Sequence, residues 1–296
     1  MGVENKDKMY EHKFMGVSGE YNNADTIIFG VPMDFTCSYR SGTRFGPQKI
    51  REASISIEEY SVYQDKLLDD YKYFDCGDLE LPLGDLKKSL DAVGEAVEEV
   101  MSTGKKPLVL GGEHLISLPL VKKMHEKYRK DLVLLHFDAH ADLRDDYLGV
   151  KYSHASVIKR ITDFMPAKNI YQFGVRSGSR EELDFGKKNT NLFLFDVLNP
   201  LKSVLGEISD RPIYITFDID VFDPAFANGT GNPEPGGIDT REMIDAIMLL
   251  KGLNVVGFDI VEVSPPYDIS DRTAVLAAKI IREMIMILGK NINISC

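Results

Sequence analysis

Short apolar runs recur along the chain, with longer amphipathic stretches between them. The runs fall at 26–30 (TIIFG), 108–111 (LVLG), 132–137 (LVLLHF), 169–174 (NIYQFG), 192–195 (LFLF), 213–217 (IYITF) and 254–258 (NVVGF). Most are apolar nearly throughout, a pattern that suits central strands of a parallel sheet covered on both faces. The stretches between them read as helices. Across 85–103, Leu86, Leu90, Val93, Val97 and Met101 recur at three- and four-residue spacing, and Gly104 can cap the end. Asp239 stands three residues before Glu242, as in a capping box, and Met243, Ile244, Ile247 and Met248 follow. Residues 273–288 form a long apolar stretch ending at Gly289, and 117–130 carries Pro119 in its first turn, where proline is tolerated. Alternation of strand and helix predicts right-handed crossovers and a three-layer α/β/α fold around a mostly parallel sheet. No repeat, low-complexity block or linker interrupts the pattern. Residues 1–296 are therefore expected to form one domain, with a polar N-terminal segment over 1–20.

In such sheets ligands bind beyond the carboxyl ends of the strands. Four of the runs lead there into acids and histidines: into Glu113-His114, into Asp138-Ala139-His140-Ala141-Asp142, into Asp218-Ile219-Asp220, and into Asp259 and Glu262. All four groups are expected to emerge at one edge of the sheet. In extended chain, residues two apart share a side, which places Asp138 with His140 and Asp142, and Asp218 with Asp220. Carboxylates brought this close cannot all stay ionised without a cation. Two imidazoles and several carboxylates suit Mn(II) or another hard or borderline divalent ion, whereas structural zinc would call for thiolates or more histidines. A carboxylate shared by two such ions would hold them roughly 3.5–4 Å apart and acidify a water between them.

Each motif has a plainer explanation alone. An Asp-x-Asp at a strand end caps loops and helices in many α/β proteins, and GGEH can be a turn. Together and in this order they are hard to explain without metal. His12 lies in the polar segment and His125 on a charged helix, so neither is expected to be a ligand. His136 is read as a packed residue supporting Asp138, and Cys37 as filler.

Composition narrows the picture only modestly. The chain is 44% hydrophobic and 27% charged, as an ordinary globular protein is, with a formal charge of -11. That charge and the lack of a basic stripe argue against a nucleic-acid partner, and no apolar run approaches the ~20 residues of a membrane span. Cys37, Cys76 and Cys296 are odd in number and far apart, which fits a reducing cytoplasm better than a disulfide framework.

The segments GGEHLIS, HFDAHADLR, YSHAS, FDIDVFDPAFANGTGNPEPGG and FDIVEVSPPYD, in that order, resemble the arginase/agmatinase (ureohydrolase) family. The early segment GVPMDFTCSYRSGTRFGPQKIREAS resembles its agmatinase branch, and the likeness runs from about Gly30 to Lys279. It implies two Mn(II) ions per chain, one held by His114, Asp138, Asp142 and Asp218, the other by Asp138, His140, Asp218 and Asp220. It implies that Glu262 grips a guanidinium and that His154 transfers protons. A hydroxide between the metals would attack the guanidinium carbon, with Asp220 accepting its proton and Asp220 or His154 protonating the leaving amine. Trimers or hexamers are implied as well.

Residues 143–149 lack the Asn and Ser with which arginases bind an α-carboxylate, and Asp145 and Asp146 would repel one. The expected substrate is therefore agmatine, cleaved to putrescine and urea, with one of these two acids holding the distal ammonium. By the same resemblance, Asn232 stands where many relatives carry Thr, near the substrate-binding turn, and Glu113 stands where Asp is common. Guanidinobutyrase or arginase activity is the nearest alternative. A metal-dependent deacetylase would not need the paired aspartate motifs, and a non-catalytic metal-binding protein would be expected to have lost Glu262, His154 or a ligand.

Overall fold

The computed structural model describes residues 13–17 and 19–290. His12, Cys296 and most of the polar segment over 1–20 lie outside the described residues. In chain order the elements are β1 (Thr26–Val31), α1 (Gly46–Ser54), the two-residue strands β2 (Tyr60–Ser61) and β3 (Lys66–Leu67), β4 (Tyr73–Asp78), α2 (Leu86–Ser102), β5 (Lys106–Gly111), α3 (Ser117–Tyr128), β6 (Val133–Phe137), α4 (Val157–Ile161), β7 (Ile170–Val175), α5 (Arg180–Asn189), β8 (Asn191–Leu194), α6 (Leu198–Ile208), β9 (Ile213–Asp218), α7 (Thr240–Met248), β10 (Val255–Val261) and α8 (Arg272–Leu288). Eight strands form one sheet in the order β4-β1-β5-β10-β9-β6-β7-β8, and every pairing in it is parallel.

The unbroken apolar runs arise because both faces of the sheet are covered. Leu108, Leu110, Leu135 and Phe137 join one core with residues of α6, α7 and α8. Val109, Leu134 and the alternate positions Ile27 and Phe29 join a second core with α2, α3 and α4. The expected three-layer architecture is thus present, with strand ends within a few residues of those read from the sequence. Asp239 caps α7 by accepting the Glu242 N–H at 2.7 Å. The helix expected over 117–130 stops at Tyr128, because Arg129 takes a left-handed φ of 53°.

Strand β4 and helices α1, α4, α5 and α6 do not stand out in the apolar pattern. The reason for β4 is that part of its contribution to the interior is ionic. Asp75 is fully buried and accepts Nε of Arg51 at 2.7 Å and Nη2 at 2.9 Å, while Asp78 takes Nη1. The pair locks α1 against the edge of the sheet, and Asp75 also accepts the Phe14 N–H at 2.8 Å.

Site placement follows from the strand order. The chain leaves β5 and next enters the sheet at β6, leaving room that β9 and β10 fill from the last third of the sequence. The four strands β5, β10, β9 and β6 are consecutive neighbours, so the residues that follow them meet above the middle of one sheet edge. Asp259 departs from this expectation. It pairs with Val109 and Thr216 inside β10, and its side chain is buried below the edge rather than emerging at it.

Removing one partner of a buried ion pair leaves an uncompensated charge. Arg51→Ala should therefore destabilise the fold by about 3–5 kcal/mol, measured by urea denaturation. A loss under ~1 kcal/mol, the level of exposed pairs, would show that α1 does not depend on it.

Candidate metal centre and active site

Asp138 follows the last residue of β6, and its two oxygens face different groups. Oδ2 lies 3.1 Å from Nδ1 of His114, and Oδ1 lies 3.5 Å from Nδ1 of His140. His114 Nδ1 is also 3.2 Å from Asp142 and 3.3 Å from Asp218, while His140 Nδ1 is 2.9 Å from Asp220. The six residues read as metal ligands thus converge as two groups with Asp138 between them. All but His140 are buried.

The donor set fits cations on a specific observation. Nδ1 of His114 is buried and makes no hydrogen bond, although three carboxylate oxygens surround it. Its other nitrogen explains which way the ring is protonated. Nε2 lies 2.9 Å from Oγ1 of Thr216, and that hydroxyl reaches Oδ1 of the buried Asp259 at 2.7 Å. The hydroxyl proton points to the acid, so Nε2–H donates and Nδ1 presents a lone pair to the carboxylates. Asp259 is further held by Ser117 at 2.9 Å and Tyr214 at 2.7 Å.

The acids are perturbed as crowded, buried carboxylates are. Burial and then the charge of Asp138 push Asp142 up to about 6. Burial, then Asp220 and Asp138, push Asp218 well above its usual value. Asp138 runs the other way: burial would raise it, but the adjacent imidazoles of His136, His114 and His140 hold it well below the ordinary carboxylate range. His136 orients that acid. Gln172 donates to its Nδ1 at 3.1 Å, which leaves Nε2–H to donate to Asp138 at 2.8 Å. The packed, supporting place read for His136 is the one it takes.

A cavity of about 430 Å³ opens over these groups, lined by His114, His140, Asp142, Asp218 and Asp220, and also by His154, Asn232, Glu234 and Glu262. Glu262 follows β10 with a left-handed φ of 66° and is locked from two sides: its N–H donates to the Gly112 carbonyl at 2.9 Å, and its carboxylate accepts the His114 N–H at 2.8 Å. Burial drives its carboxyl up to about 8, so a cation in the cavity would be the natural partner for its charged form. Gly112 permits the packing, since a Cβ there would stand 2.5 Å from the carbonyls of Val31 and Met33.

Asp145 and Asp146 are placed elsewhere. Asp145 is exposed and paired with Arg160 and Lys159, and Asp146 accepts the Gly149 N–H at 3.1 Å. Neither lines the cavity, because the loop turns its acids toward α4 and solvent. Two further acids that do line it are Glu182 and Glu234. Sequence reasoning missed both, along with Arg176. This guanidinium, directly after β7, donates to the carbonyls of Gly174, Asp220, Val221, Phe222 and Glu234 at 2.7–3.2 Å. It fastens the Asp218–Asp220 turn to the 232–234 turn. The available signal was its position at the same strand edge as the acids.

The arginase family model matches residues 24–287. Agmatinase from Bacillus anthracis is 49% identical over 284 residues, covering 95% of this chain and 98% of that one. Among solved structures, a putative agmatinase from Clostridium difficile aligns with a TM-score of 0.88 at 39% identity, over 91% of this chain and 99% of that one. Agmatine ureohydrolase of Thermoplasma volcanium aligns with a TM-score of 0.86 at 36% identity, over 96% of each. The chain belongs to the arginase family. It is a ureohydrolase, an enzyme acting on a guanidino C–N bond.

Thr216→Val keeps the side chain's shape and removes the acceptor for His114 Nε2. Metal affinity should fall about 10- to 100-fold, read by competition with a chelator. Unchanged affinity would show that this contact does not orient the ligand. Because protons on the raised Asp142 and Asp218 must leave as metal enters, calorimetry in buffers of different ionisation enthalpy should register proton release on binding.

Proposed function

We propose that the protein hydrolyses agmatine to putrescine and urea with two Mn(II) ions. The observation that carries this is the geometry next to the cavity, where the buried Asp138 stands between two His/Asp groups and Glu262 lines the wall. His114, Asp138, Asp142 and Asp218 would hold one ion, and Asp138, His140, Asp218 and Asp220 the other. When bound, the metal pair makes water nucleophilic near neutral pH and stabilises the charge that develops during attack. A guanidinium is a poor electrophile because resonance spreads its charge, and this is why an activated water is needed.

The protein's own groups do the rest. Glu262 binds the guanidinium and turns its carbon toward the acids. Asp220 accepts the proton of the attacking water. Asp220 or His154 delivers a proton to the departing amine nitrogen. Burial holds His154 down to about 4, with the neighbouring His140 adding to the effect, so the free ring is neutral. Asn232 borders the substrate from the 232–234 turn.

The distal ammonium is assigned to Glu234 in place of Asp145 or Asp146. Its carboxylate makes no hydrogen bond or ion pair among the described residues, whereas Glu182 is already engaged by Ser179 and Leu143 N–H groups and by Arg144. Assembly into trimers or hexamers and a cytoplasmic setting belong to the same reading. Cys37 and Cys76 are free thiols, and among the described residues no helix is long and apolar enough to cross a membrane.

Urea release from the Mn-loaded protein should be fastest with agmatine, compared with arginine and 4-guanidinobutyrate, and Asp138→Asn should abolish it. Faster turnover of either acid substrate would overturn the agmatine assignment. Glu234→Gln should raise KM for agmatine about three- to tenfold, as expected for one partly exposed ion pair. It should leave an alkylguanidine with no distal charge unaffected. Equal effects on both substrates would remove Glu234 from the distal site.

A further inference from the structure

The segment 34–42 leaves β1 and folds back over the cavity, where Ser38 and Tyr39 form part of the wall. Its neck is closed by the Gly42 N–H, which donates to Asp34 at 3.0 Å. Its underside hangs on one buried carboxylate. Glu113 accepts the N–H of Phe35 at 3.0 Å, the N–H of Thr36 at 2.8 Å and the Thr36 hydroxyl. Glu113 is fully buried and directly precedes His114. The segment and the first His/Asp group are therefore built on the same turn.

Thr36 in turn faces His154. Its Oγ1 lies 3.0 Å from the His154 backbone N–H and 3.3 Å from Nδ1 of the ring. The opposite ring nitrogen, Nε2, lies 3.4 Å from Oγ of Ser38. Tyr147 closes a third side, edge-on at 5.8 Å between ring centroids. We propose that Thr36, suspended from Glu113, is a positioning residue that fixes the His154 imidazole with Nε2 toward the cavity. A hydroxyl has one proton and two lone pairs. With its proton directed to Glu113, Oγ1 accepts both the backbone N–H and Nδ1–H of His154. The neutral ring then carries its proton on Nδ1, and Nε2 is the nitrogen that takes a proton from the cavity and returns it to the leaving amine. This rests on the reading of His154 as a proton-transfer group in guanidine hydrolysis.

Thr36→Val preserves shape and removes the hydroxyl. With agmatine, kcat should fall about tenfold, the scale of one lost hydrogen bond in a transition state. KM and bound metal should stay near their original values, and Thr36→Ser should recover most of the loss. In a His154→Ala background, Thr36→Val should cost nothing further, because the two act as one unit. Additive losses, or equal impairment by Ser and Val, would overturn the proposal. Nitrogen-15 spectra of histidine-labelled protein loaded with Mg(II) supply a reading independent of turnover. The His154 signal, assigned by its loss in His154→Ala, should show a protonated Nδ1 and a bare Nε2, and Thr36→Val should change that pattern. The opposite tautomer, or no change in the variant, also overturns it. If the unmodified enzyme releases no urea from agmatine, the substrate assignment fails by itself and the spectra still decide the role of Thr36.

Discussion

Mutual repulsion among buried carboxylates governs this molecule. Two unit charges 4 Å apart cost about 4 kcal/mol at the effective dielectric of a protein site, and Asp138, Asp142, Asp218 and Asp220 meet at one sheet edge with Glu262 beside them. Such a cluster folds only with compensation. Part of it comes from protons, as the raised Asp142 and Asp218 show. Part comes from donors aimed at particular oxygens: His136 to Asp138, the Ala139 N–H to Asp220 and the Asp220 N–H to Asp218. Divalent cations held by these residues would supply the remainder and replace those protons.

The surroundings are arranged so that compensation does not blur geometry. Two of the rings that face the acids are oriented from behind, His114 by Thr216 and Asp259, and His136 by Gln172, which is itself held by Thr190 and the Ala141 carbonyl. Arg176 spends its guanidinium on backbone carbonyls, keeping its charge near the acids without pairing with any of them. Asp142 and Glu262 both occupy left-handed backbone conformations, with φ of 53° and 66°. Side chains other than glycine and asparagine or aspartate rarely adopt that region, so at Glu262 the surrounding bonds hold a strained residue where its carboxylate is useful.

The sequence was most informative where chemistry and strand ends coincide. The apolar runs exposed seven of the eight strands of the main sheet because both faces are buried, and the acids after them identified the edge at which the six candidate ligands meet. Strand β4 was hidden because its buried position is an aspartate answered by Arg51, which no apolar pattern registers. Asp259 was misplaced because a strand long enough to end at Val261 buries it. Asp145 and Asp146 looked like substrate acids from charge alone, but which way a loop turns depends on Arg160 and Lys159 in α4. Arg176 and the Glu113–Thr36 contact join positions far apart in the chain, and nothing local announces such pairings.

The strand order has a consequence for how the enzyme comes into being. Until β9 and β10 are made, the chain holds only β4-β1-β5 and β6-β7-β8, two three-stranded pieces with no strand pairing between them. The last strands act as a keystone: β9 pairs with β6, β10 pairs with β5, and the two pair with each other. The acids sit directly over this seam. Metal held there would bind residues from both halves and favour the joined state, which would couple metal affinity to closure of the sheet. Contacts of this long sequence separation form slowly, and a nascent chain would carry two more open β-edges than the finished sheet, those of β5 and β6, until its final third arrives.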